Sequence, residues 1–68
     1  MDTLQMKLQE IVRKYELKGD DLIAFSTAIG FMLIDNMALA MIAINDHSLA
    51  SGVVKAAAEA RAEIYASN

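Results

Sequence analysis

The chain has no cysteine, no proline and no tryptophan, and its 68 residues include only three glycines, one histidine and four Phe or Tyr residues. Without cysteine there is neither a disulfide nor a thiolate metal site, and the lone His47 does not build a zinc site by itself. A chain this short buries only about 60% of the surface its unfolded form exposes, so a single core is marginal without such staples. The lack of proline and the scarcity of glycine remove most helix breakers, while plentiful alanine and methionine favour helix over strand. Cations are also in short supply: six Lys and Arg stand against nine Asp and Glu, a net charge of -3. With no basic stripe to neutralise phosphates, nucleic acid is not an expected partner.

What is present is apolar. Hydrophobic residues make up 56% of the chain against 22% charged, more than so small a body can hide, and far too much for a disordered segment. Self-association supplies the missing interior. Twofold dimers are the commonest homo-oligomers, so a homodimer is the first expectation and a tetramer the second.

The pattern predicts an all-α fold, a three-helix subunit forming one helical oligomerisation domain over 1–68. In the first helix Leu4, Leu8, Ile11, Val12 and Tyr15 recur at three- and four-residue intervals on one face, with Lys18-Gly19 as its basic, glycine-terminated end. Asp20 and Asp21 mark the next start, as caps and as negative charge at the favourable end of the helix dipole. From Leu22 to Ile34 there is no charge, and after Asp35-Asn36 the apolar run resumes from Met37 to Ile44. A helix over 22–44 that is apolar all round must be surrounded by protein or by lipid. A third helix from Ser48 or Ser51 to about Ala66, with Val53, Val54, Ala57, Ile64 and Tyr65 on its apolar side, is expected to act as a lid on the central one.

Residues 22–44 are long enough to span a bilayer, but Asp35 and Asn36 then fall near its middle, where a charged Asp costs about 2.5–3.5 kcal/mol or more. The flanks carry Asp20, Asp21 and Asp46 with only Lys18 nearby. A soluble oligomer is therefore the expected form, with a membrane-embedded helix or membrane-complex subunit as the alternative. The opening Met1-Asp2-Thr3-Leu4-Gln5 lacks the positive segment and apolar run of a secretory signal, and cytoplasmic residence is the expectation.

In the oligomer, Phe25, Ile29, Phe31, Leu33, Met37 and Met41 are the core candidates, and truncation of Phe31 or Leu33 to Ala is expected to impair folding and assembly together. Met32, Met37 and Met41 read chiefly as core filling, with an adaptable surface as the alternative. Ser26 and Gly30, one turn apart, suit close helix packing. Asp35 and Asn36 form a candidate polar site, with two readings: a buried acid or metal ligand of raised pKa, or a surface break in the helix, which is preferred. Asp46, His47 and Ser48 contain the residue types of a hydrolase triad without its geometry, and a turn or cap accounts for them. Asp20, Asp21 and Asp46 lack the ligand spacing of a calcium loop. No catalytic residue, metal site or cofactor is expected. Tyr15 and Tyr65 are the candidate contacts for a protein partner.

From Ile11 to Tyr65 the order of features resembles the UPF0352 family of small bacterial proteins. A short amphipathic helix ends in Lys18-Gly19-Asp20-Asp21-Leu22, an apolar helix contains Gly30, and an alanine-rich helix follows. The chain departs from that pattern in lacking a proline in the first turn and in its Asp35-Asn36 break. The resemblance implies a helical homodimer and assigns no catalytic residue.

Overall fold

Four helices fill the residues described by the computed structural model, 3–45 and 51–66: α1 Thr3–Lys14, α2 Asp20–Leu33, α3 Met37–Asn45 and α4 Ser51–Ala66. The expectation of three helices is corrected at one place, because the apolar run over 22–44 is cut in two. Asp35 takes a left-handed backbone, φ 58°. Its N–H donates to the Met32 carbonyl at 3.0 Å, and the next N–H, of Asn36, donates to the Phe31 carbonyl at 2.8 Å. This bond pair closes a helix in a Schellman turn, satisfying carbonyls that α2 leaves without an intrahelical partner. Asn36 then opens α3, its Oδ1 accepting the Leu39 N–H at 3.2 Å and its carbonyl accepting the Ala40 N–H at 3.1 Å. One asparagine thus ends one helix and caps the next, and Asp and Asn are the non-glycine residues best suited to these two jobs.

The same turn ends α1 earlier than predicted. Glu16, φ 53°, is its left-handed residue, with Glu16 N–H on the Arg13 carbonyl at 3.2 Å and Leu17 N–H on the Val12 carbonyl at 3.0 Å. Leu17 is buried directly after the turn, the hydrophobic contact that commonly accompanies it. Gly19 is therefore not the end of α1. It stands at the N-cap of α2 with φ 59° and ψ −134°, and its carbonyl accepts the Ile23 N–H at 3.1 Å. That backbone region is essentially glycine's alone. A Cβ at Gly19 meets nothing within 4 Å, so the requirement is conformational and not one of space.

α4 packs against both α1 and α2, and α2 also packs against α3. Ion pairs Lys7–Glu63 and Lys14–Glu59 run in opposite chain directions along α1 and α4, so these two helices are antiparallel. The core draws Ala24, Phe25, Ala28, Ile29 and Met32 from α2, and Val53, Ala56, Ala57, Ala60 and Ile64 from α4. α4 is thus an equal member of the core and not the lid that was expected. Ile11 and Leu17, with Ala40 and Ile44 of α3, complete the interior. Its alanines let helix axes approach closely while each removes little apolar area from water. No polar or charged side chain is buried among the described residues. The Cα extents are 33 × 25 × 15 Å, about two helix layers at the usual 8–10 Å spacing. In so thin a body every helix keeps an outward face.

Candidate functional site

On α2 the buried positions fall on one half of the helix, and the exposed half holds Asp20 in the first turn, then Ile23, Ser26, Thr27, Gly30, Leu33 and the cap residue Ile34. Ile23 is 61% exposed, Leu33 56% and Ile34 68%. On α3, Leu39, Met41 and Ile42 are exposed as well, in a helix with no Asp, Glu, Lys or Arg. Scattered apolar residues on a surface are ordinary, whereas several grouped on one side of a helix form a candidate contact surface.

The six expected oligomer-core residues therefore divide. Phe25 and Ile29 are buried in the subunit's own core, and Phe31 and Met37 are half-buried against it. Only Leu33 and Met41 are exposed. Truncating Leu33 removes little from the core of the single chain, so the expected joint loss of folding and assembly at this residue requires the proposed association. Ile23, Ile34 and Ile42 were not singled out in the sequence, because a helix apolar all round has no polar stripe to show which side faces out.

The polar candidates take structural roles. Asp35 is exposed and Asn36 half-buried, so they form the break between two helices and not a buried polar site. Tyr15 is half-buried and its hydroxyl donates to Glu59 of α4; it ties α1 to α4 and is not a free docking residue. Tyr65 is exposed, with the Arg61 guanidinium 5.2 Å over its ring. Asp46, His47 and Ser48 lie outside the described residues.

One cleft opens between α1 and α2, about 250 Å³ in volume. Leu8, Val12, Phe25 and Ile29 form its walls, and Gln5, Gln9 and Ser26 its polar rim. No acid, base or cation lines it, so its surface offers apolar contact and amide or hydroxyl hydrogen bonds. Through Ser26 the cleft adjoins the exposed face of α2.

No family model, curated protein or solved structure matches this chain. Among the described residues, no group of three or more His, Cys, Asp or Glu is placed to hold a metal ion. No helix among them is long and apolar enough to cross a membrane.

The electrostatics concentrate on the other side of the molecule. Lys14 Nζ lies 3.1 and 3.2 Å from the two Glu59 carboxylate oxygens and 5.2 Å over the Tyr15 ring. The Tyr15 hydroxyl, and then Lys14, hold the Glu59 carboxyl below its ordinary value. The hydrogen bond to Glu59 in turn raises both the Lys14 ammonium and the Tyr15 phenol.

Proposed function

We propose that the chain is a small, non-catalytic helical module that associates with copies of itself, a homodimer first, and serves as a structural or protein-interaction unit. The observation that carries this reading is the aliphatic outer face of α2 beyond its first turn, with Ile23, Leu33 and Ile34 all more than half exposed. A thin body with an alanine-rich core buries modest apolar area, and covering this face with protein adds to it at about 25 cal/mol per Å² before the costs of association. The resemblance to UPF0352 implies the same architecture. The reading places the module in the cytoplasm, a setting compatible with a chain that has no cysteine. A partner protein would dock on the assembled unit, with Tyr65 as the exposed aromatic contact.

The test is light scattering coupled to size exclusion, over a concentration series in detergent-free buffer. A discrete dimer or tetramer that dissociates on dilution is the expected result. A monomer at every concentration would sink the reading.

A further inference from the structure

The bend between α2 and α3 stands against its own local sequence. Three residues, Ile34, Asp35 and Asn36, separate the two helices, and neither they nor the three residues on either side are glycine or proline. Met, Leu and Ala flank them, strong helix formers, so the local preference is for one continuous helix. The bend exists because Asp35 takes φ 58°, a left-handed backbone that Asp tolerates better than most residues but that only glycine adopts freely. The connection from α1 to α2 differs: Gly19 holds its positive φ there, and buried Leu17 anchors the chain beside it. At the second bend Ile34 and Asp35 are exposed and Asn36 is half-buried.

Hydrogen bonding does not hold the second bend either. The Asp35 N–H donates to the Met32 carbonyl and the Asn36 N–H to the Phe31 carbonyl. A straight helix uses the same two donors and the same two carbonyls with partners exchanged, Asp35 on Phe31 and Asn36 on Met32. The Leu39 N–H, now on the Asn36 side chain, would find the Asp35 carbonyl. What keeps the bend is packing. Ala40 and Ile44 of α3 share one buried cluster with Val53, Ala60 and Ile64 of α4, and only five residues join these helices.

We propose that Asp35-Asn36 is a hinge at which two copies exchange their α3–α4 units. In each chain α2 and α3 run on as one helix over 20–45, and α3 and α4 of one chain take, on α1 and α2 of the other, the places they hold within a single chain. The Lys7–Glu63 and Lys14–Glu59 pairs and the Tyr15–Glu59 hydrogen bond then form between chains. Exchange between identical chains preserves the core and alters only the bends, which makes it a low-cost route to a dimer, and a short hinge under strain invites it. The proposal rests on the reading of self-association, and concerns how two chains are joined and not which outer face is covered.

Gly52 and Tyr15 read the exchange. A Cβ at Gly52 stands 3.7 Å from Tyr15 Cδ1, so the α-hydrogen in that position faces the ring. An equal mixture of isotope-labelled and unlabelled chains is unfolded, refolded at high concentration, and its dimer examined by isotope-filtered nuclear Overhauser spectroscopy. The expected result is a Gly52–Tyr15 contact between chains. Asp35→Gly relaxes the bend and opposes the straight helix. It should keep the helical circular-dichroism spectrum and lower the dimerisation constant about 100-fold, from about tenfold at each of two hinges. Asp35→Ala should raise it. A dimer whose Gly52–Tyr15 contact stays within each chain would overturn the exchange while self-association stands. A dimerisation constant unmoved by either Asp35 variant would place the hinge elsewhere and overturn the proposal as well. A wild-type chain that is monomeric at every concentration would remove both readings.

Discussion

The α1–α4 side and the outer face of α2 end their helices' surfaces in opposite ways. Where α1 meets α4, apolar residues at the seam are bordered by Lys7–Glu63 and by the Lys14–Tyr15–Glu59 cluster, groups that water solvates and that need no further cover. On α2 the aliphatic surface continues outward past the core, with the exposed acids Asp20 and Asp35 at its two ends. A short chain cannot surround a helix that is apolar on nearly every side, so one side is finished with ion pairs and the other keeps aliphatic side chains in the open. The difference separates residues that hold the folded chain together from residues that the proposed self-association would cover.

The sharpest break in that division is Phe25 against Ile34. Phe25→Ala should lower subunit stability by about 3–5 kcal/mol in denaturant unfolding, the range for a buried aromatic. Ile34→Ala, measured at concentrations that keep the chain monomeric, should change stability by about 0.5 kcal/mol or less, while weakening self-association at higher concentration. Equal losses for the two at all concentrations would erase the distinction. Next in size is Gly19→Ala, expected to cost about 1–3 kcal/mol because the residue must hold φ 59° and ψ −134°, although no atom obstructs the methyl group.

Asn36→Ala should cost about 1 kcal/mol, the usual value of a helix N-cap, seen as a lower thermal midpoint. Gly30→Ala should instead stabilise the dilute monomer by about 0.5–1 kcal/mol, since an exposed helical glycine gives way to a better helix former.

The smallest effect is in pH. Glu59 is held below its ordinary value of 4.5, so its contribution is complete above that value and fades as pH falls through the lowered one. Tyr15 and Lys14 are raised above 10.0 and 10.5, so theirs is complete below those values and is lost as pH climbs past the raised ones. The thermal midpoint should be level through neutrality and fall at both extremes, and Glu59→Gln should flatten both limbs. Exposure of all three groups to water and salt keeps the change small.

Much was legible before any coordinates. Periodic apolar residues marked α1, and of the five residues expected on the apolar side of α4, Val53, Ala57 and Ile64 are buried while Val54 and Tyr65 are exposed. Asp20 and Asp21 marked the start of α2 as negative charge in its first turn, a dipole preference written locally, but neither is the cap expected of them, since Gly19 holds the N-cap position without a side-chain cap bond. Composition alone pointed to an all-helical chain with more apolar surface than its size can hide. Only the folded chain decided that Asp35 takes a left-handed backbone and cuts the apolar run, since two backbone hydrogen bonds close that turn and its side chain makes no signature contact. It also decided which half of α2 faces α4. On a helix whose every side is apolar, the choice of inner face belongs to the alanines and the phenylalanine that fit against a neighbour, and fit is a property of two surfaces brought together.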